Sequence, residues 1–341
     1  YLEELRCLLR EIRARDREVV IALGGPLVTL YPGKAPVFLE EGNVFIRGEA
    51  DFAFSEVLAS LGSLPAGRDL SLREISPLMD KPGLFLRYGD TVFVSNLDRK
   101  ERVQDLDQVF SEKVDLGFIE KRHVCGGLHL HTTRGCPFQC SFCAKVHGPH
   151  VRAMASETIF RLLSTYRERV EAIRQTEGLS EEEWERAFHV SFSDDDFLLA
   201  RSRAKTFFLG LSGHPFRLKT VPAGIPSFLS GGGDRGRRFD PALFHAIEAA
   251  KTRIRSFEIG TDDFSERELS RLAKGHPTGY SLHDIEEVAS GLERLEISNR
   301  HFLILSNPYT QWSDLFEKLI TLEDLCWSYT HFYPDPNPFV L

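Results

Sequence analysis

Residues Gly127–Lys145 read GLHLHTTRGCPFQCSFCAK. A strand candidate, Gly127–Thr133, runs directly into a loop that sets Cys136, Cys140 and Cys143 at the spacing C-x3-C-x2-C. Gly135 and Pro137 punctuate the loop and favour a compact wrap. Three thiols so close together cannot all pair as disulfides, and 6 cysteines in 341 residues are too few for a disulfide scaffold. The cluster suits a thiophilic metal. Zinc needs a fourth ligand to close a tetrahedron, which His131, His147 or His150 can supply. A [4Fe–4S] cube bound by three thiolates instead leaves one iron open to a cofactor.

Downstream of this loop, strand and helix patterns alternate. The further strand candidates are Phe188–Asp194, Phe216–Pro222, Arg255–Thr261, His301–Asn307 and Trp327–Tyr333. Ser156 is placed to cap a helix whose Ile159, Leu162, Leu163, Tyr166, Val170 and Ile173 share one face. Asp240-Pro241 is an N-cap followed by proline at the first helical position. Ser265 and Glu268 form a capping-box pattern, with Gly275 ending that helix. Six strand–helix units with right-handed crossovers predict a parallel sheet curled toward an open, partial (β/α)6 TIM-like barrel over residues 125–341. The loops after its strands then form one active face, and the cysteine loop is the first of them.

Upstream, an amphipathic helix at Tyr1–Arg15 leads to VVIALGG, a buried-strand pattern ending at Gly24 and Gly25. NVFIRGEAD and a helix at Phe52–Leu61 follow, so residues 1–62 read as the C-terminal half of a Rossmann-like domain. Residues 63–124 hold short strand candidates (LFLRYG, DTVFVSN) between turn signals and read as an extended linker. The chain starts without an initiator methionine and is expected to be a fragment of a longer protein.

Composition narrows the function. The chain is 42% hydrophobic and 27% charged, enough for one large or two ordinary cores. Its net charge of −8 argues against bulk binding of nucleic acid. It holds no apolar run of the roughly 18 residues a membrane span needs, and its start is no signal peptide. A cytoplasmic protein is expected.

With an aromatic residue, Phe142, just before the third cysteine, the loop resembles that of the radical S-adenosylmethionine (SAM) enzymes. SFSDDDF at Ser191–Phe197 resembles a D-D-x-F stretch that many of them carry after the second strand. FEIGTDDFSERELSRLAKG at Phe257–Gly275 resembles their I-G-x-E-S…L..L.K-G block, with Asp262 where that family usually has glutamate. FLILSNPYTQWSDL and HFYPDPNPF resemble the fifth- and sixth-strand blocks. IALGGPLVTLYP with FIRGEADFAFSEVLASL, and PGLFLRYGD and RVQDLDQV in the linker, resemble the subgroup in which a cobalamin-binding domain precedes the barrel.

The resemblance implies that Cys136, Cys140 and Cys143 hold a [4Fe–4S] cluster whose open iron takes the amino and carboxylate groups of SAM. Phe142, Ser193, Asp194 and Asp262 become candidate SAM contacts. Gly24 and Gly25 become the backbone approach to a cobalamin tail. It implies a 5′-deoxyadenosyl radical, a small-molecule substrate, cobalamin-dependent methyl transfer, and an electron donor such as flavodoxin or ferredoxin. Two alternatives are radical chemistry without cobalamin and a zinc-stabilised binding module. Bland readings stand beside these: the Asp194–Asp196 and Asp262-Asp263 runs as solvated loops or caps, Gly24-Gly25 as a tight turn, and the three histidines as packing or surface residues. Cys7, Cys125 and Cys326 read as incidental thiols. The Gly231–Gly233 run lacks the strand–loop–helix context of a phosphate loop.

Overall fold

The computed structural model describes residues 2–17, 19–61, 76–78, 83–88, 91–94, 102–110, 116–231 and 236–337. The chain divides into two compact units, residues 1–104 with 144–147, and residues 105–143 with 148–341.

In the N-terminal unit, α1 (Leu2–Arg15) precedes a four-stranded sheet of β1 (Ala22–Leu23), β2 (Val44–Ile46), β3 (Leu84–Tyr88) and β4 (Thr91–Val94). Strand alternation sorts its side chains to two faces. Val44, Ile46, Leu84 and Leu86 pack with Ala53 and Val57 of α2 (Ala53–Leu61). Phe45 and Phe85 turn the other way, toward Leu9 of α1, Ile21 and Val28. The β1–β2 pair is parallel as expected, but β2–β3 and β3–β4 are antiparallel. Both of the latter strands lie in the stretch read as linker. The buried Leu84, Phe85 and Leu86 of β3 continue the alternation of β2, which extends the sheet. Residues 62–75, 79–82, 89–90, 95–101 and 111–115 of the linker region lie outside the described residues.

The second unit is built on one six-stranded sheet, β5 (Leu128–Leu130), β6 (His189–Phe192), β7 (Arg217–Gly224), β8 (Ser256–Asp262), β9 (Ser298–Ile304) and β10 (Phe332–Asn337). The strands lie side by side in chain order, every neighbouring pair parallel. This is a mixed α/β architecture with helices in the connections: α3 (Ser156–Glu177), α4 (Glu181–Ala187), α5 (Arg201–Leu211), α6 (Pro241–Ala250), α7 (Glu266–Arg271), α8 (Leu282–Arg294) and α9 (Trp312–Ser328). The predicted apolar face of α3 is buried throughout. Phenylalanine rings dominate the core. Phe192 and Phe197 pack on Phe207, and Phe208 and Phe228 pack on Phe257 of β8.

Three local expectations change. Ala155, not Ser156, caps α3, because the Ser156 hydroxyl donates to Arg203 O at 3.0 Å. Ser265 precedes α7 but no capping box forms, since the buried Glu268 accepts from Asn307 Nδ2 at 2.7 Å and Thr310 Oγ1 at 3.0 Å. The last strand starts at Phe332, with Trp327 still in α9. Leu229–Gly231 pairs antiparallel with Arg237–Phe239; residues 232–235 between them lie outside the described residues.

His301 of β9 is fully buried. Its Nε2 lies 2.7 Å from Asn299 Oδ1, an acceptor, so Nε2 carries the proton and Nδ1 accepts from the Thr261 hydroxyl at 2.6 Å. The ring stacks on Phe332 at 4.1 Å. Burial pushes its pKa down to about 3. The unfolded chain takes up this proton near pH 6.5 whereas the folded chain resists it to about 3, so stability falls with pH across that window. The slope is up to about 1.4 kcal/mol per pH unit. Asp196 acts with the opposite sign between about 6 and 3.8, because its folded pKa is raised. The His301→Gln variant isolates the histidine: between pH 7 and 4 its urea midpoint should fall less than that of the parent. Parallel loss in both proteins would contradict the assignment.

Candidate functional site

The cysteine loop leaves the C-terminal end of β5 and is closed at its base. Thr133–Arg134 pairs antiparallel with Arg152–Ala153, and Met154 N donates to Thr132 O at 2.8 Å. Gly135 takes φ +89, and a Cβ there would run into the His150 carbonyl. Only glycine suits that position. Inside the loop, Cys136 N donates to Gly148 O at 3.0 Å and Cys143 N to Cys140 O at 3.2 Å.

Two other strand ends grip this loop. After β6, three successive aspartates reach in three directions. Asp194 accepts from Thr132 N and, at 2.7 Å, from the Thr132 hydroxyl. Asp195 accepts from Gly135 N at 2.9 Å. Asp196 turns to the end of β7, accepting from Gly224 N at 2.9 Å and Ser227 Oγ at 2.6 Å, and from Leu198 N at 2.9 Å. Burial raises its pKa to about 6 against these bonds. After β8, the segment following α7 holds the loop's far side. Gln139 N donates to His276 O at 3.0 Å, and Ser141 N to Leu272 O at 2.9 Å.

Cys140 is buried, Cys136 half-buried and Cys143 exposed, all as free thiols. Burial pushes the Cys136 thiol up to about 11, with Asp196, Cys140 and Asp195 adding to the rise and a backbone hydrogen bond at Phe138 opposing it. Metal or positive charge is therefore needed to hold it as a thiolate. Among the described residues, no three His, Cys, Asp or Glu side chains converge as a ready metal site. The donor chemistry fits a cluster held at three corners better than closed zinc. Of the histidines proposed as a fourth ligand, His150 is exposed, His131 half-buried, and His147 Nδ1 faces Glu49 Oε1 at 3.4 Å.

The candidate SAM contacts separate. Ser193 is exposed at the end of β6, its N bonded to Leu130 O at 2.8 Å. Both oxygens of Asp194 accept from Thr132, which ties that carboxylate to the loop. Asp262 sits at a bulge in β8 with φ +61, its carboxylate ion-paired with Lys274. The Lys274 Nζ lies 5.6 Å from the centre of the Phe142 ring. Burial lowers the lysine's pKa, but Asp262 and then Cys140 and Cys136 more than restore it, leaving it above the usual value. Tyr280, buried beside this group, donates to Thr261 O. Lys274 and Tyr280 are additions to the site. Lys274 lies within the quoted K-G block, but nothing in the sequence marks its direction. In the N-terminal unit, Gly25 takes φ +83 at the cap of a short helix, Pro26–Leu30, and a Cβ on Gly24 would lie 3.6 Å from Ile46 O.

No family model matches the chain. An uncharacterized methyltransferase of Pyrococcus horikoshii is 27% identical over 194 residues, 55% of this chain and 36% of that protein. The radical SAM methyltransferase TsrM of Kitasatospora setae, solved with cobalamin and a [4Fe–4S] cluster, superposes with a TM-score of 0.68 at 16% identity, over 99% of this chain and 60% of that one. The cobalamin-dependent SAM radical enzyme OxsB, solved with aqua-cobalamin and SAM, superposes at 0.66 with 16% identity, over 94% of this chain and 41% of that one. The chain thus spans between about a third and three-fifths of the length of these relatives. The resemblance read from the cysteine loop and the fold of the whole chain agree: this protein has the fold of the cobalamin-dependent radical SAM enzymes.

Proposed function

We propose that residues 125–341 are the catalytic core of a radical SAM enzyme and that the cobalamin-type domain lies N-terminal to that core, the two acting in methyl transfer to a small molecule. The observation that carries this reading is the placement of C-x3-C-x2-C. It follows the first strand of a sequential six-stranded parallel sheet and is gripped by the end of the second strand and by the segment after α7, which follows the fourth. In this reading residues 125–341 curl into the partial (β/α)6 barrel and residues 1–62 form part of the cobalamin-binding domain. The TsrM structure with tryptophan substrate and a SAM analogue supports a small-molecule substrate.

Cys136, Cys140 and Cys143 would hold the cluster, which when bound would supply the electron that cleaves SAM to methionine and a 5′-deoxyadenosyl radical. Phe142 lines the adenine side, and Ser193, exposed at a neighbouring strand end, is the remaining polar contact after β6. Asp194 and Asp195 hold the loop in register. Asp262 acts through Lys274. Gly24 and Gly25 offer backbone to the cobalamin tail without a side chain in the way. A flavodoxin- or ferredoxin-type protein supplies the electron.

Anaerobic reconstitution with iron and sulfide tests the reading. It predicts a brown protein carrying a full cube's iron and sulfide, lost in Cys140→Ala. A colourless protein with stoichiometric zinc overturns it.

A further inference from the structure

We propose that Lys274 sets the reduction potential of the cluster held by Cys136, Cys140 and Cys143, with Asp262 as its opposing charge. The inference rests on the cluster reading above.

The backbone on either side of Lys274 is what grips the cysteine loop. Leu272 O accepts from both Ser141 N, at 2.9 Å, and Ser141 Oγ, at 3.1 Å. His276 O accepts from Gln139 N at 3.0 Å. Residues 139 and 141 flank Cys140, so Lys274 lies at the middle of the segment docked against the second cysteine. Its Nζ faces the Phe142 ring, and a Cβ on Gly260 would lie only 3.2 Å from that nitrogen. The missing side chain at 260 leaves the ammonium its place. Asp262 reaches it from a left-handed backbone position at the β8 bulge. The side chains of Lys274 and Asp262 are 15% and 10% exposed, so water screens them weakly.

One electron added to a cube held by three thiolates makes the site more negative. A nearby buried cation favours that reduced form and a nearby buried anion opposes it. Lys274 and Asp262 therefore push the potential in opposite directions. A purely structural pair would not show opposite signs on removal.

The test is a reductive titration with titanium(III) citrate under redox mediators, followed by EPR, on wild type, Lys274→Met, Asp262→Asn and the double variant. Asparagine tolerates the left-handed backbone, so Asp262→Asn keeps the bulge. Iron and sulfide content should equal that of wild type in each. At a fixed potential, Lys274→Met should lower the reduced-to-oxidised ratio at least tenfold and Asp262→Asn should raise it at least tenfold, about 59 mV each way for one electron. Lys274→Met leaves a buried carboxylate unpaired and could fail to fold. The double variant lacks that charge, and its ratio should fall at least tenfold below that of Asp262→Asn. Shifts in the same direction, or none in loaded proteins, overturn the proposal alone. A wild type that takes up no cluster overturns the cluster reading and this proposal with it.

Discussion

Replacing Lys318 with methionine is expected to cost the fold about 3–5 kcal/mol, the loss typical when one partner of a buried ion pair is removed. Lys318 lies on α9 with its side chain 1% exposed, and Asp263, equally buried, meets it at 2.7 Å. The ammonium also donates to Ile304 O at 2.6 Å and Leu305 O at 3.0 Å, the chain leaving β9. On the other side, Asp263 Oδ1 accepts from Phe264 N at 2.7 Å and Ser265 N at 2.9 Å, turning the chain from β8 toward α7. One ammonium thus joins the exits of two neighbouring strands. Burial pushes the Asp263 carboxyl up, and Lys318 opposes that shift. Methionine fills the space but leaves the carboxylate without its counter-charge and the Ile304 and Leu305 carbonyls without the ammonium donor. Urea unfolding measures the loss. Adding Asp263→Asn to Lys318→Met should recover part of it, because the unpaired charge is then gone. A loss under about 1 kcal/mol in the single variant would contradict this account of the pair.

The second large effect is expected at Asp194. Its side chain is fully buried, Arg203 Nη2 stands 4.0 Å from it, and Thr132 donates to both its oxygens. Arg203, also largely buried, donates to Thr133 Oγ1 and lies over the Phe197 ring at 4.0 Å. Burial lowers the arginine's pKa to about 10, and Asp194 is the first charge opposing that shift. Asp194→Ala leaves a buried guanidinium without its counter-charge and Thr132 N without its acceptor. The expected cost is again about 3–5 kcal/mol. Asp195 is exposed and, among the described residues, accepts one bond, from Gly135 N, so Asp195→Ala should cost only about 1 kcal/mol. Iron uptake on reconstitution should follow the same order, falling further in Asp194→Ala than in Asp195→Ala. Equal losses in the two variants would mean that the loop is not held in this way.

The cysteine loop was legible because ligand spacing is local. Three thiols within eight residues after an apolar strand state their chemistry without tertiary information. The strands β5 to β9 were legible for the related reason that alternating helix and strand periods survive in the sequence. The bounds of the last strand were not, although HFYPDPNPF was matched to the sixth-strand block. WSYTHFY is rich in strand-forming residues, whereas the actual strand, Phe332–Asn337, carries Pro334 and Pro336. Among the described residues it is an edge strand, pairing with β9, and two prolines spaced by two put their missing N–H groups on one side of it.

Antiparallel β3 and β4 were read as linker because two short strands do not announce which sheet they join. The three aspartates after β6 read equally well as a solvated loop. Which oxygen meets Thr132, Gly135 or Gly224 depends on the positions of three strand ends. Lys274 was quoted only as part of the K-G block, without a role. Only the docking of residues 272 and 276 on the cysteine loop gives it a direction. The capping pattern Ser265–Glu268 misled because tertiary partners, Asn307 and Thr310, outbid the local one for the same carboxylate.

The most direct test of the central claim is the EPR spectrum of the anaerobically reconstituted, reduced protein, recorded with and without SAM. A [4Fe–4S]⁺ signal that shifts when SAM is added, and that is absent in Cys140→Ala, is the predicted result. It would show a cluster with an iron open to the cofactor. A reduced cluster whose signal ignores SAM, or a protein that binds zinc and gives no signal, would contradict it.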